Sequence, residues 1–280
     1  MKNQKIIFIL IGVFCFFALI AGIYAQFFTG KRENNTIQNS NIGTSDDQKQ
    51  KTQEEIKTQF KGLFNNKLVV SENFDPTNIQ KIDTTKDIVY FAYNYQEQTE
   101  KYEVDIHLPV INIKGNVVNE FNKTTQSIFA NEASNIVNNK YSEKIIYNVN
   151  YIASINENIL SLAIESTFKQ GENPQRTIIQ TYNYDIETGE KIELVDMLTK
   201  RNIIQSDCQN KIYQVVNKAQ EEAQILVKSG YTVYNRNISD DMYKIAEVSN
   251  FYLGEDGELY IIFAYGNNNY TSDMDIVLYE

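Results

Sequence analysis

Residues Ile6 to Ala25 read IIFILIGVFCFFALIAGIYA, a stretch without a charged side chain. At about 1.5 Å of rise per residue, some 20 apolar residues carry a helix across a hydrocarbon core about 30 Å thick. The chain is therefore expected to start with a signal sequence or a single membrane span, and the rest must fold beyond it. A secretory apolar region usually runs about 7 to 15 residues, and Ile23 spoils the small-residue spacing that cleavage after Ala25 requires. The reading is an uncleaved anchor. Cys15 follows Gly12-Val13-Phe14 and lacks the small neighbours of a lipoprotein signal, so it reads as membrane filler. Residues 1–5 form a short cytoplasmic tail and 6–25 the anchor. Basic residues flank both sides, Lys2 and Lys5 before it and Lys31 and Arg32 after it, but a long domain translocates largely regardless of charge. The expected location is the cell membrane, single-pass, with the bulk of the chain extracytoplasmic.

The chain holds 26 Lys and Arg against 36 Asp and Glu. All the acids lie beyond Ala25, and only Lys2 and Lys5 precede it, so the exported part carries 24 − 36 = −12. This balance excludes a nucleic-acid binder, which needs a basic footprint. One His and 2 Cys rule out a Cys/His metal cluster, and with Cys208 the one thiol outside the membrane stretch no internal disulfide forms. That thiol usage fits a Gram-positive-type envelope compartment. No cofactor is expected.

Residues 26–66 read as a polar tether too poor in aliphatic side chains to order itself, with Ile56, Phe60 and Phe64 permitting a short helix from Glu54 to Asn65. Strands are expected at Lys67–Ser71, Asp87–Tyr95 and Lys101–Leu108, then a helix between Gly115 and Asn138. A hairpin follows, Lys144–Ala153 with Asn158–Phe168, then a strand at Thr177–Ile186. A long helix spans Asn202 to Lys228, its apolar stripe running from Ile204 through Cys208 and Ile212 to Leu226. Strands at Val248–Leu253, Glu258–Phe263 and Asp275–Tyr279 close the chain. The fold class is α+β, mainly antiparallel sheets each packed by a long helix, with an expected division into 67–172 and 173–280.

Chemistry is thinly represented. His107 alternates with Tyr102, Val104, Ile106 and Leu108 and so points to the polar side of its strand, where a solvent-facing imidazole is expected. No Ser stands in a G-x-S-x-G context. Asp240-Asp241, Glu255-Asp256 with Glu258, and Asp273 with Asp275 lack the spacing of a calcium loop and read as solvated loops. Cys208 reads as a small buried hydrophobe. The 19 Tyr and 15 Phe mostly alternate within strands and read as core. The chain is expected not to be an enzyme.

TYNYDIETGEKIELVDML (Thr181–Leu198) resembles the second exported domain of RsiV-type anti-sigma factors and PdaC-type peptidoglycan deacetylases. KYEVDIHLPVINIKGNVVNEFN (Lys101–Asn122) resembles the opening of the domain before it, and NFYLGEDGELYIIFAY (Asn250–Tyr265) its closing hairpin. Met1–Lys5 is too short for a sigma-binding segment, and a deacetylase part is not expected in this chain. The resemblance implies a ligand-contacting loop before the Thr181 strand, where relatives carry a GGAHG-like turn and this chain reads KQGENPQR with Gly171 in common. By loop position alone the candidate ligand-binding residues are Gln170, Gly171, Glu172 and Asn173. RsiV-like domains bind lysozyme, a basic protein, and the −12 charge suits such a partner. The expectation is a membrane-anchored binding or sensing module, held by Ile6 to Ala25, for a basic wall-associated protein such as lysozyme or for a cell-wall glycan. A structural or assembly factor of a membrane complex is the alternative, and a peptidoglycan-modifying enzyme a more distant one.

Overall fold

The computed structural model describes residues 51–280, except 73, 76–78 and 139, with backbone alone at 116, 117, 125 and 126. The expected tail, anchor and first half of the tether lie outside the described residues, among which no helix is long and apolar enough to cross a membrane. The described residues belong to one compact unit, 50–280.

Helix α1 (Gln53–Gly62) starts at a capping box in which Thr52 and Glu55 exchange bonds, satisfying amide groups that a helix start leaves without partners. Ile56 and Phe60, one turn apart, are its buried residues. This stretch, expected at the end of a polar tether, is docked into the core. The main sheet contains β1 (Leu68–Val70), β2 (Val89–Gln98), β3 (Tyr102–Ile111), β4 (Ile145–Asn156), β5 (Ile159–Gln170) and β6 (Arg176–Asp185). Its order is β2-β3-β4-β5-β6, with β1 beside β4. The pairs β2–β3, β4–β5 and β5–β6 are antiparallel, whereas β3–β4 and β1–β4 are parallel. Helix α2 (Asn116–Val137) supplies the crossover that a parallel β3–β4 pair needs. That βαβ unit and the parallel β1–β4 pair depart from the expected mainly antiparallel pattern.

β3 and β1 share one edge of β4: Tyr102–Ile106 pairs with Ile145–Val149, and Leu68–Val70 with Ala153–Ile155. Asn66 fills the seam between them. Its amide donates to the Tyr151 carbonyl at 2.9 Å, its side-chain oxygen accepts from the Tyr151 amide at 2.9 Å, and its Nδ2 donates to Asn150 Oδ1 at 2.9 Å. The left-handed φ of 59° that this requires is one that Asn tolerates better than most residues.

The remaining elements are α3 (Leu194–Lys200), α4 (Gln205–Lys228) and a three-stranded antiparallel sheet of β7 (Phe251–Leu253), β8 (Leu259–Ala264) and β9 (Met274–Tyr279). Side-chain alternation sorts the apolar residues into three cores. Val104, Ile106, Tyr147, Leu162 and Ile164 pack with Phe121, Phe129 and Ile136 of α2 on one face of the main sheet. On its other face Ile152, Ala163 and Ile179 meet Phe60 of α1 and Tyr260, Ile262 and Ile276 of the small sheet. Leu259, Ile261, Phe263 and Val277 turn the other way onto α3 and onto Cys208, Ile212 and Val216 of α4. The order is helix, sheet, sheet, helix. Being covered on both faces explains why β8 reads LYIIFA without a polar residue, all six side chains being buried.

The expected division between 172 and 173 falls in the β5–β6 turn, across which the strands pair from Ile159/Asp185 to Phe168/Arg176. It cuts a hairpin within one sheet. The stripe expected on α4 is correct in its middle but not at its ends, where Ile204 is 64% and Leu226 42% exposed. The 24-residue helix is about 36 Å long and the six-residue β9 beneath it about 20 Å, so the helix overhangs its sheet. Cys208 is fully buried, as expected, and burial raises its thiol pKa above the usual range. His107 departs from expectation. Its ring lies 5.8 Å from that of Phe91, on the neighbouring strand β2, and its Nε2 is 2.9 Å from Asp105 Oδ1, two residues along the same face of β3. Asp275 also departs, being a fully buried residue rather than a solvated loop acid.

Candidate ligand-binding groove

On the helix-covered face of the main sheet, the register places Tyr147 beside Phe168, and Phe168 beside Arg176; one step on, Ser166 lies between Val149 and Ile178. α2 covers the central part of this face but leaves the Ile178 side open. The result is a groove of about 380 Å³. Tyr147, Ser166, Phe168 and Ile178 form its floor, Ile128, Phe129 and Glu132 of α2 one wall, Arg176 and Tyr270 the other, and Tyr141 and Gln170 its end. The aromatic surface is held by ring contacts, Tyr141 against Phe168 at 5.7 Å and Tyr147 against Phe168 at 6.3 Å.

The charges at the rim are already engaged. Glu132 accepts a hydrogen bond from the Tyr141 hydroxyl, and burial first, then this bond, raises the Tyr141 pKa above the ordinary phenol range. Arg176 donates from Nε to the Gly266 carbonyl at 2.6 Å and from Nη2 to the Asn267 carbonyl at 3.0 Å. The same loop seals the outer edge of β6. Asn267 accepts from the Ile179 amide and donates to its carbonyl, at 3.0 and 2.8 Å, and the Thr177 amide donates to the Thr271 carbonyl at 3.1 Å. Tyr270 reaches the groove from this loop. Gly266 permits the contact: a Cβ there would sit 1.8 Å from the Thr177 carbonyl oxygen.

Two groups on the floor are not engaged. Tyr147 and Ser166 are each 3% exposed, and neither hydroxyl has a hydrogen-bond partner among the described residues. Burial, followed by the Glu132 charge, raises the Tyr147 pKa, so its proton is retained. Neither oxygen is sealed from solvent; both open into the groove, where a polar ligand reaches them.

Of the candidates drawn from loop position, Gln170 lines the groove, while Gly171, Glu172 and Asn173 form the turn beyond it. Gly171 adopts φ 53° with the Glu143 carboxylate packed where a Cβ would point, and the Asn173 amide closes the turn on the Gln170 carbonyl at 3.0 Å. Sequence reasoning missed Tyr147, Ser166, Glu132, Arg176 and Tyr270. One signal was present: Ser166 occupies the same strand face as Leu160, Leu162 and Ile164, a core-facing position where a hydroxyl is out of place. Among the acidic clusters, Glu258 accepts from Lys51, Gln59 and Tyr260. Among the described residues no group of three or more His, Cys, Asp or Glu side chains converges as a metal site would.

No family model and no curated protein sequence matches the chain. Solved structures similar to it include two DUF3298 proteins. One is a DUF3298 family protein from Pseudomonas aeruginosa PAO1, with 12% identity over 68% of this chain and 85% of that one and a TM-score of 0.38. The other is a DUF3298 family member from Bacteroides fragilis NCTC 9343, with 13% identity over 68% of this chain and 88% of that one and a TM-score of 0.33.

Proposed function

We propose that this chain is a membrane-anchored, extracytoplasmic binding module of a bacterial envelope, non-catalytic, whose groove holds a neutral glycan. The observation that carries the ligand reading is the pair of unengaged hydroxyls, Tyr147 and Ser166, on an aromatic floor. A sugar ring supplies apolar C–H faces for aromatic contact and hydroxyls that donate and accept. The rim carboxylate and guanidinium are of opposite sign and each has a partner within the protein, so the groove makes no demand for a charged ligand. The anchoring part of the reading rests on the apolar run Ile6 to Ala25, and the resemblance of Thr181–Leu198 to RsiV-type and PdaC-type exported domains points to the same compartment.

Calorimetric titration of the full chain with soluble uncharged fragments, N-acetylglucosamine oligosaccharides, tests it. Removing both hydroxyls, Tyr147→Phe with Ser166→Ala, forfeits two hydrogen bonds of about 1 kcal/mol each, roughly a thirtyfold loss of affinity. The fragments are expected to keep their mass. Absence of binding, or equal binding by the double variant, refutes the glycan reading, and fragments changed in mass refute the non-catalytic one. Protease treatment of intact cells that leaves the body undigested refutes the extracytoplasmic placement. The −12 charge of the exported part supports a second reading, a basic wall-associated protein such as lysozyme as partner. Salt separates the two, because attraction between exposed charges is screened beyond about 8 to 10 Å at ordinary ionic strength and the contacts of a neutral sugar are not.

A further inference from the structure

The overhanging end of α4 carries three consecutive apolar residues, Ile225, Leu226 and Val227, exposed by 60, 42 and 55%, and Tyr231 just beyond is 53% exposed. Between Val227 and Val233 a groove of about 270 Å³ continues this surface. An exposed apolar patch of this kind marks a surface with a partner. We propose that this tip contacts the lipid bilayer, a reading that rests on the membrane anchoring proposed above.

Three observations select lipid. A helix that docks in a protein groove presents apolar residues three and four apart, along one side, whereas Ile225, Leu226 and Val227 are consecutive and point around the helix. Such a tip is fully covered when it is immersed end-on. The second is charge. In a chain of net charge −10, no acidic residue occurs from Ala223 to Ser239, a run that includes Lys228 and Arg236. Glu221 and Glu222 are the last acids before it. The Arg236 charge is matched internally by Asp275, which leaves Lys228 at the tip, where its long stem lets the ammonium reach lipid headgroups. The third is reach. Lys51 pairs with Glu258 and Glu280 near the end of β9, while α4 runs from Lys211 beside Leu278 toward Asn235, beside Gln220. From Lys211 to Leu226 is about 22 Å of helix. Residues 26 to 50 span at most roughly 80 Å when extended, so an anchored chain has length to spare for the tip to face the bilayer.

The chain contains no Trp, so Tyr231→Trp introduces a single indole, excited selectively beyond the tyrosine absorption, in a residue type favoured at membrane interfaces. The full chain carrying this change is reconstituted in vesicles of phosphatidylethanolamine and phosphatidylglycerol, with and without brominated acyl chains. Emission is expected to shift to shorter wavelength and to be quenched by bromine, and adding Ile225→Asp with Val227→Asp abolishes both effects. Ile204→Trp, at the opposite end of the same helix, is expected to remain water-exposed and unquenched. Quenching that is absent at residue 231, equal at 204, or unaffected by the Asp pair overturns the proposal. So does a shift that grows with protein concentration and ignores bromine, which assigns the tip to a second copy. Glycan titration and protease treatment of cells read the proposed function independently of all these outcomes.

Discussion

Asp275 is fully buried on β9 and takes a bidentate contact from Arg236, Nε to Oδ2 at 2.6 Å and Nη2 to Oδ1 at 3.0 Å. Tyr265 donates its hydroxyl to the same carboxylate, and Lys57 of α1 lies 3.8 Å from it. The Arg236 side chain is only 7% exposed, so solvent does little to screen the pair. Replacing Arg236 by Met removes both of its bonds and leaves the carboxylate with only the Tyr265 hydroxyl and the more distant Lys57, and breaking a buried pair in this way costs about 3 to 5 kcal/mol. Domains of ordinary stability hold about 5 to 15 kcal/mol in all. With a urea slope of about 3 kcal/mol/M, the upper end for small proteins, the midpoint of unfolding is expected to fall by about 1 to 1.7 M. Replacing both partners, Arg236→Met with Asp275→Leu, removes the buried charge, and its midpoint is expected to lie above that of the Arg236→Met single variant. Circular dichroism against urea reads all three proteins. A loss under about 1 kcal/mol in Arg236→Met shows that the pair behaves as a solvated one and refutes the reasoning.

Two further outcomes follow from the same geometry. Burial raises the Glu165 pKa, with Lys61 opposing the shift, so this group favours folding below its unfolded value near 4.5 and disfavours it once pH exceeds the raised folded value. Glu165→Gln is therefore expected to stabilise the protein against urea at pH 7 and to make little difference at pH 4; the reverse order counts against the assignment. Gly266→Ala places a methyl group against the Thr177 and Thr271 carbonyls and is expected to lift the loop from β6 at a cost on the order of 2 to 4 kcal/mol. Hydrogen exchange at the Thr177 and Ile179 amides reads this directly, and unchanged protection there dismisses it.

Strands and helices were legible where one periodicity dominated. The alternation in β3 and in the first half of β4, and the 3.6-residue period of α2, follow from single faces meeting a core. The stacking of the two sheets was harder to see. β8 is buried on both faces, which removes alternation, and the partners of Ile179 and Ile262 lie far apart along the chain. α1 was seen as a helix but not as part of the body, because two buried residues, Ile56 and Phe60, give a weak signal until Tyr252 and Tyr260 are placed around them. For the groove, loop position led to Gln170 and stopped there. Its floor comes from β4, β5 and β6 and its rim from a loop nearly a hundred residues downstream, joined by Arg176 and Gly266, a closeness that no local pattern encodes.

The way α1 and β1 enter the body determines how it bears a mechanical load. A pull arriving through residue 50 is met first by the ion pairs of Lys51 with Glu258 and Glu280, which are partly solvated and yield easily. Next come the two bonds of Gln53 with the Ile276 backbone, then Ile56 and the Lys57–Asp275 pair, and then the Phe60 ring, wedged between Tyr252 and Tyr260. After that come the parallel pairs of β1 with Ala153, Ser154 and Ile155. Tension would detach the N-terminal strap joint by joint, from weaker to stronger, while β2 to β6 and the groove they carry stay intact until the last joint fails.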